Sequence, residues 1–266
     1  MRILTLNTHS WREENQEEKL HYLAKVIKER DYDMIALQEV NQSTVSPYLE
    51  DGHLREDNFM LVLQQLIEEI GGPKYNAFWD LSKVVRNEYE EGSAILCKMP
   101  IIHTDCFTVS KSQDRDDVKA RKIVKVTVAY KGQEIDLYSC HLGWWHDEVE
   151  PFKYQCDRLM EEVNSDKLVL LMGDFNNNAN IREEGYDYLL DKGFYDTYTL
   201  AREKDRGVTV QGEIAGWKGN KVDLRIDLIL ANKALKVISS KVIFNGDYKE
   251  IVSDHYGVEV ELELEK

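Results

Sequence analysis

The stretch Leu168–Asn176 constrains the fold of this chain more than any other. It begins with five consecutive apolar residues and ends in Asp174 and Asn176. An unbroken apolar run of this length predicts a strand buried on both faces, as in the interior of an α/β sheet. Because side chains alternate along an extended segment, Asp174 and Asn176 can point to the same side at the end of that strand. An Asx-rich turn is the alternative, since Asn176 opens a run of three asparagines.

Composition limits the size of the domain and the class of partner. The chain has 266 residues, with 49 acidic against 34 basic residues and a formal net charge of −15. No repeat, low-complexity tract or flexible linker interrupts it, so we predict a single domain over residues 1–266. A surface this acidic repels polyanions, and we therefore expect no nucleic-acid partner and no membrane partner. A local contact with one phosphate through a metal stays compatible with that charge.

The cysteines indicate neither a zinc site nor a disulfide framework. Cys97, Cys106, Cys140 and Cys156 form no CxxC pair and no Cys/His cluster. The chain opens directly on a strand pattern rather than on a signal peptide, and it contains no apolar run of about 18 residues. We therefore expect reduced thiols in a cytoplasmic protein.

Helical and extended patterns alternate along the whole chain, which is typical of an α/β fold. Apolar residues at helical spacing predict helices over 16–29, 59–70, 151–163 and 186–192. Compact apolar runs predict strands over 2–6, 34–40, 75–80, 92–97, 123–130, 135–140, 168–172 and 225–230, with a last pair around 253–257. The polar stretch 203–221 contains several glycines and predicts an exposed loop.

Polar side chains recur where the predicted strands end. The set comprises Asn7, Glu39, Asp80, His141, Asp174, Asn176, Asp254 and His255. Glu39 is either a surface residue or a ligand, and its apolar neighbours favour the ligand. In α/β sheets, ligands collect beyond one end of the strands. Carboxylate and carboxamide oxygens suit Mg²⁺ or Mn²⁺, and Mg²⁺ leaves coordination positions open for phosphate oxygens.

Seven short motifs carry a resemblance to a known family. In chain order they are Leu6-Asn7-Thr8, Gln38-Glu39-Val40, Gly92-Ser93-Ala94-Ile95-Leu96, Ser139-Cys140-His141-Leu142, Gly173-Asp174-Phe175-Asn176, Arg225-Ile226-Asp227 and Ser253-Asp254-His255. Each is weak alone, but together they are specific and span nearly the whole chain. On these motifs the chain resembles the endonuclease/exonuclease/phosphatase superfamily, the group of DNase I, exonuclease III, sphingomyelinases and inositol polyphosphate 5-phosphatases. The resemblance implies a four-layer αββα sandwich of two mixed β-sheets, with the site at the top between them.

The resemblance also implies roles for the metal ligands and the base. Glu39 would be the principal Mg²⁺ ligand, Asn7 would help to hold the metal or the phosphate, and Asp254 would be a ligand or an outer-shell group. Asp174 would orient and deprotonate the attacking water, and Asn176 would bind a phosphoryl oxygen.

The remaining roles implied by the resemblance concern phosphate contacts. His255 would donate to the phosphate, with Asp227 behind it fixing the tautomer and the charge. His141 would be a second histidine donor, with Asp80 as its carboxylate partner. Arg121 falls where several members place a phosphate-contacting arginine. A surface arginine, flanked by lysines in sequence, is the equal alternative at that position.

Some of the motifs favour particular substrates among those that the superfamily hydrolyses. Abasic-site endonucleases of this superfamily carry a Tyr-containing Pro-Asn-Gly segment where this chain has His141-Leu142-Gly143, which disfavours that branch. The stretches 7–11 and 141–145 resemble bacterial cytoplasmic phosphatases that act on maltose 6'-phosphate. Three alternative roles are open to Trp144 and Trp145: stacking on a sugar, insertion into a membrane, or packing in the core. Trp217 is a further candidate for contact with a sugar.

We therefore expect a Mg²⁺-dependent phosphomonoesterase that acts on a small phosphorylated sugar. The alternatives are a phosphodiesterase or nuclease of the same superfamily, DNase-like or sphingomyelinase-like, and a catalytically inactive binding module. The missing secretion signal speaks against a sphingomyelinase, and the filled catalytic positions speak against a binding module. A row of acids in the predicted mouth loops would repel the flanking phosphates of a polyanion; these are Asp147, Glu148, Glu150, Glu203 and Asp205.

Overall fold

The computed structural model of the chain describes residues 1–50 and 52–264. The helices of this part are α1 (Gln16–Arg30), α2 (Phe59–Glu69), α3 (Phe152–Glu161), α4 (Gly185–Asp191) and α5 (Thr197–Leu200). The strands are β1 (Arg2–Asn7), β2 (Met34–Ser43), β3 (Asn76–Val85), β4 (Tyr89–Cys97), β5 (Ile101–Thr108), β6 (Lys122–Tyr130), β7 (Gln133–His141), β8 (Leu168–Asp174), β9 (Tyr195–Asp196), β10 (Glu203–Lys204), β11 (Asp227–Ala231), β12 (Lys236–Ile243) and β13 (Gly257–Glu263).

The strands form two mixed sheets. One has seven strands in the order β10-β12-β13-β1-β2-β4-β3, and the other has six in the order β5-β6-β7-β8-β11-β9. In the first sheet, β1 runs parallel to β2 and antiparallel to β13. In the second, β8 runs parallel to β7 and antiparallel to β11. The predicted pair of mixed sheets is confirmed.

Alternating side chains divide the core into three apolar layers. Ile3 and Met34 of the first sheet pack against Leu170 and Met172 of the second. The next residues along the same strands point the other way. Leu4 and Ile35 meet α1 and α2, whereas Val169 and Leu171 meet α3 and α4. The result is the predicted four-layer αββα sandwich.

Two elements differ from their sequence patterns. β5 was not predicted, because it is an edge strand in which no position is buried, so it lacks an apolar face. The stretch 203–221 is not simply an exposed loop. It contains β10, and the bridge between Val210 and Leu224 closes its far part around a small cluster that includes the half-buried Trp217. Its apolar residues are too widely spaced to reveal this packing in the sequence.

Among residues 1–50 and 52–264, no helix has both the length and the apolar character needed to span a bilayer.

Candidate functional site

Sheet register brings three polar side chains together at one end of the six-stranded sheet. His141 at the end of β7 lies opposite Asp174 at the end of β8, and Asp174 lies opposite Asp227 at the start of β11. Gly173 makes the close approach of β7 and β8 possible. Its φ is +145°, and a Cβ at this position would lie 1.9 Å from the carbonyl oxygen of Cys140. No larger residue fits there.

The seven-stranded sheet contributes Asn7 and Glu39 from the opposite side of the site. Glu39 lies in a bulge of β2, where the pairing with β4 shifts between Leu37 and Val40, and it adopts a left-handed φ of +49°. Such bulges redirect a side chain out of its usual alternation. The Nδ2 of Asn7 donates to Glu39 Oε1 at 3.1 Å and to Asp174 Oδ2 at 3.2 Å. One amide therefore links carboxylates from the two sheets.

Asp174 Oδ2 is the centre of the polar network. Besides the bond from Asn7, it accepts a hydrogen bond from Asn176 Nδ2 at 3.3 Å. It also lies 3.7 Å from the Nε2 atoms of both His141 and His255. Burial and the neighbouring Asp227 carboxylate raise the pKa of Asp174 to about 7, although His255 opposes that rise. A carboxylate with such a pKa can exchange a proton near neutral pH.

His255 is held as a cation between two carboxylates. Its Nδ1 lies 3.0 Å from Asp227 Oδ2 and 3.2 Å from Asp227 Oδ1. Burial alone would lower the pKa of His255, but the charges of Asp227 and Asp174 raise it to about 10. The imidazolium is therefore available as a hydrogen-bond donor, and Asp227 holds the ring in place.

His141 is neutral, whereas His255 is a cation. The prediction that Asp80 is the carboxylate partner of His141 is wrong. Burial, together with the positive charges of Arg121 and Lys83, holds the pKa of His141 well below its ordinary value, so this ring is neutral. Asp80 does not contact it. Asp80 instead pairs with Lys122, and its Oδ1 lies 3.3 Å from His53 Nε2.

The reason for this error is the position of Asp80 in the sheet. It lies within β3, the outermost strand of the seven-stranded sheet, rather than at a strand end. Burial would raise the pKa of Asp80, but hydrogen bonds with Cys106 and Lys122 lower it. Asp80 therefore belongs to an ion pair outside the site.

The sequence left two alternatives for Asn176, a residue of an Asx-rich turn or a residue of the functional site. In the structure it is both. Its backbone N–H donates to Asp174 Oδ1 at 2.8 Å, which is an Asx turn, and its φ is +50°. Its Nδ2 also donates to the carbonyl of Leu142 at 2.9 Å. Its Oδ1 accepts the indole N–H of Trp217 at 3.0 Å. The turn thus fixes a buried amide beside the Asp174 carboxylate.

Two buried cations face this network. Arg121 is only 4% exposed, so the surface alternative for this residue is wrong. Its Nη1 makes long hydrogen bonds to the carbonyls of Val118 and Ala120, at 3.4 and 3.3 Å. Its Nε is buried and has no hydrogen-bond partner among the described residues. A buried guanidinium with one unbonded edge is suited to binding an anion.

Lys83 is the second cation, and sequence reasoning missed it. It is 6% exposed and lies 3.0 Å from Oε1 of Glu91, its cross-strand neighbour. Ser82 Oγ donates to the carbonyl of Ala120 at 3.5 Å, which places β3 beside the segment that leads to Arg121. A lysine inside a strand pattern ordinarily indicates a solvent-facing position, so the sequence carried no signal for it.

The donor types at the site suit a hard divalent cation, and two groups of three donors among the described residues lie close enough together to share one: His9 with Glu13 and Asp254, and Asp174 with Asp227 and His255. Although burial would raise the pKa of Glu39, the charges of Lys83 and His9 lower it, so this carboxylate is ionised. Glu39 and Asp254 are the anionic oxygen donors of the predicted set, which suits Mg²⁺ or Mn²⁺. Asn7 directs its NH₂ group towards carboxylates, and its Oδ1 accepts the backbone N–H of His9 at 3.2 Å. A ligand role for Asn7 stays a prediction.

Asp254 lies in a small cluster that sequence reasoning did not find. Its Oδ2 is 3.8 Å from His9 Nδ1, and His9 Nδ1 is 2.6 Å from Glu13 Oε1. Glu13 Oε2 is in turn 2.6 Å from Lys19 Nζ. His9 and Glu13 follow Asn7 closely in sequence, but nothing in their spacing indicated a pair. They make an ion-paired rim beside the predicted ligands.

An aromatic cleft of about 460 Å³ opens beside Asn176. Its walls include Trp144 and Trp217, and residues 216–220 at the tip of the 203–221 stretch form one side of it. Trp145 also borders the cleft, but its ring packs against Phe152 and Tyr188 at centroid distances of 6.1 and 5.8 Å. For Trp145, the core-packing alternative therefore describes most of its contacts. Trp144 and Trp217 are placed to contact a ligand.

The predicted row of mouth acids is largely wrong. Glu150 is 3% exposed and accepts the backbone N–H groups of Lys111 and Ser112. Asp147 pairs with Lys119 at 2.7 Å.

The other predicted acids also differ in their positions. Glu203 belongs to the edge strand β10, and the next acid, Asp205, accepts the backbone N–H of Val242. Glu148 is exposed. Three of the five acids, Asp147, Glu150 and Asp205, are therefore engaged in contacts within the fold.

Comparison with known proteins identifies the family of this chain. The model of the "Endonuclease/Exonuclease/phosphatase family" matches residues 6–255. A solved structure of a family protein from Leptotrichia buccalis C-1013-b superimposes with a TM-score of 0.93 at 40% sequence identity, covering 99% of this chain and 100% of that one. No curated protein matches the sequence.

More distant solved structures share the fold. A mannosyl-6-phosphatase from Bacteroides thetaiotaomicron VPI-5482 gives a TM-score of 0.73 at 17% identity, covering 99% of this chain and 100% of that one. The D. rerio protein TDP2, in complex with a single-stranded DNA product, gives 0.65 at 14% identity, covering 99% of each chain. At these identities the likeness extends to the fold alone.

Proposed function

This chain belongs to the endonuclease/exonuclease/phosphatase family, and on that premise we propose that it is a Mg²⁺-dependent phosphomonoesterase acting on a small phosphorylated sugar. The family hydrolyses phosphoesters, and its members typically depend on a divalent metal. As the substrate we propose a sugar phosphate of the maltose 6'-phosphate kind. It is consistent with the mannosyl-6-phosphatase among the structural neighbours.

The buried, unpaired guanidinium of Arg121 carries this proposal. A phosphomonoester has close to two negative charges at neutral pH and three terminal oxygens, whereas a diester has one charge and two such oxygens. Arg121 offers an unbonded edge, and Lys83 and the cationic His255 add positive charge to the same site. Lys83 and His255 are each paired with a carboxylate, Glu91 and Asp227, so the unpaired cation is Arg121, whose planar donors suit the terminal oxygens of a monoester.

The cleft beside Asn176 supports a small, ring-containing leaving group. Its volume of about 460 Å³ accommodates one or two sugar rings rather than a polymer. The faces of Trp144 and Trp217 offer apolar area for the C–H faces of a sugar. Since Asn176 lies in the wall of the cleft, a sugar bound there can place its phosphate near Asp174.

The chain's own residues divide the work of hydrolysis. Asp174 accepts a proton from the attacking water as the new P–O bond forms and the bond to the sugar oxygen breaks, and the leaving sugar oxygen takes up a proton from solvent. His255 donates a hydrogen bond to a phosphoryl oxygen, and Asp227 holds its ring in orientation. Asn176 donates to the phosphoryl group with the N–H that otherwise makes the longer, 3.3 Å bond to Asp174. The neutral His141 is a further donor. A cation held by Glu39 and Asp254, with Asn7, would neutralise charge on the phosphoryl group.

A nuclease is the second candidate, because the D. rerio neighbour was solved with a DNA product. The net charge of −15 disfavours it, since binding to a polyanion depends on many cationic contacts.

The four cysteines are all unpaired, which supports a further proposal that the protein works in the reducing cytoplasm.

The test is phosphate release across a panel of substrates. The purified protein is assayed with Mg²⁺ against sugar phosphates, nucleotides, phosphodiesters and plasmid DNA, with Asp174→Asn as the control for contaminating activity. We expect a sugar phosphate to be the best substrate and plasmid cleavage to be negligible at about 0.15 M salt. Plasmid nicking without phosphate release from any sugar phosphate would overturn the proposal.

A further inference from the structure

Residues 211–222, which we name the tryptophan loop, form a closed unit over the site. At its base, Leu224 donates to the carbonyl of Val210 at 2.9 Å, and Val210 donates back at 3.2 Å. Inside it, the backbone N–H of Trp217 donates to the carbonyl of Ile214 at 3.1 Å. A Cβ at Gly216 would lie 2.6 Å from the ring of Trp144, so the loop packs directly on the other wall of the cleft.

One side-chain hydrogen bond joins this loop to the network around Asp174. The indole N–H of Trp217 donates to Asn176 Oδ1 at 3.0 Å, across 41 positions of sequence. Asn176 is 4% exposed, so its oxygen has little access to water if that donor is lost. The other end of the same amide donates to the carbonyl of Leu142 and to Asp174. The amide is therefore fixed at both ends.

We propose that Trp217 is a positioning residue, which orients the Asn176 amide for the phosphoryl group through the hydrogen bond from its indole N–H. This inference rests on the proposed function, because it takes Asn176 as a phosphate ligand. Without the indole donor, the amide keeps only its Leu142 and Asp174 contacts and can swing about them. The tryptophan loop, which contacts the sugar in this proposal, thus also orients the amide that binds the phosphoryl group.

Trp144 provides a matched comparison in the same cleft. Its Nε1 is buried without a hydrogen-bond partner among the described residues, so a change to Phe removes ring area but no hydrogen bond. Trp217→Phe removes similar ring area and one hydrogen bond. Trp144 also lies 5.7 Å from the Arg121 guanidinium, and Phe keeps an aromatic ring at that position. The difference in kcat between the two variants therefore reports mainly the bond to Asn176.

The first measurement is steady-state kinetics of both variants on the best sugar phosphate. We expect Trp217→Phe to lower kcat about 10-fold relative to Trp144→Phe, the size of one neutral hydrogen bond, whereas both variants raise KM. Melting curves confirm that both are folded. Equal kcat values in two folded variants would overturn the inference, because a merely structural or stacking role predicts no such split.

The second measurement is independent of activity. In ¹H–¹⁵N spectra, the indole resonance of Trp217, assigned by its absence in Trp217→Phe, should exchange slowly with solvent in the wild type. In Asn176→Ala it should exchange at least about 10-fold faster, because its acceptor is gone. Unchanged exchange would overturn the inference; if Trp217→Phe does not fold, the indole resonance is assigned by triple-resonance experiments on the wild type instead. A wild type that releases no phosphate while the exchange rates differ would refute the proposed function and leave the indole–amide contact in place.

Discussion

Replacing Arg121 by Met separates binding of an anion from stability of the fold. The guanidinium is buried, yet its hydrogen bonds within the described chain are to the carbonyls of Val118 and Ala120 at 3.3 to 3.4 Å. Its centre also lies 5.7 Å from the ring of Trp144. An arginine kept for stability would be expected to have a carboxylate partner. We therefore predict that Arg121→Met loses activity while keeping the fold.

The size of both effects follows from these contacts. Two charge-assisted hydrogen bonds from the unbonded edge to a phosphate are worth about 1.5–3 kcal/mol each, so kcat/KM should fall about 10²- to 10⁴-fold. For stability, Met removes an uncompensated buried charge and loses a cation–π contact worth about 0.5–1 kcal/mol. The free energy of unfolding should therefore stay within about 1 kcal/mol of wild type or rise.

The assay compares Arg121→Met with Arg121→Lys. Lysine keeps the charge but loses the planar pair of donors, so its kcat/KM should lie between those of wild type and the Met variant. Kinetics are measured on the best sugar phosphate, and stability by urea unfolding. An Arg121→Met protein that is destabilised by more than about 2 kcal/mol and retains wild-type turnover would refute the reasoning.

Three further perturbations test the other assignments. Asp174→Asn should keep the fold and lower kcat about 10²- to 10⁴-fold, the usual contribution of a general base; near-normal turnover would remove Asp174 from that role. Glu39→Gln should shift the Mg²⁺ titration to much higher concentration, and excess EDTA should abolish wild-type activity; superimposable titrations or activity in EDTA would exclude this metal site. Asp80→Asn should cost about 1–3 kcal/mol at neutral pH and leave kcat/KM unchanged, because the pair with Lys122 lies outside the site. Since the pKa of Asp80 is lowered by folding, its contribution is present above the ordinary aspartate pKa of about 3.9 and is lost at lower pH, which unfolding curves at pH 7 and pH 3 can measure.

The fold was predictable because its core is encoded locally. In β8, one set of alternating residues faces the other sheet and the next set faces α3 and α4, so the run at 168–172 had to be apolar throughout. The polar residues that end β1, β7 and β8, namely Asn7, His141 and Asp174, were also predictable, because each stands in a short motif. β5 was not predictable, since an exposed edge strand needs no apolar pattern.

Partners that depend on strands far apart in sequence could not be predicted. Lys83 is an ordinary lysine in the sequence, and only the pairing of β3 with β4 brings Glu91 to it. Asp80 was paired with the wrong residue for the same reason. The contact between Trp217 and Asn176 joins a polar loop to a strand end, and no periodicity records it.

The position of Asp174 follows from the register of the sheet. His141, Asp174 and Asp227 are direct neighbours across β7, β8 and β11, so a slip of one residue in β8 would turn Asp174 to the opposite face. That register is held by the apolar residues of β8 on both faces and by the close approach of β7 at Gly173. The distances around Asp174 Oδ2 are therefore set by the hydrophobic core. This explains how a buried carboxylate with a raised pKa is kept in place: the folding energy of the sheet offsets the cost of holding it there.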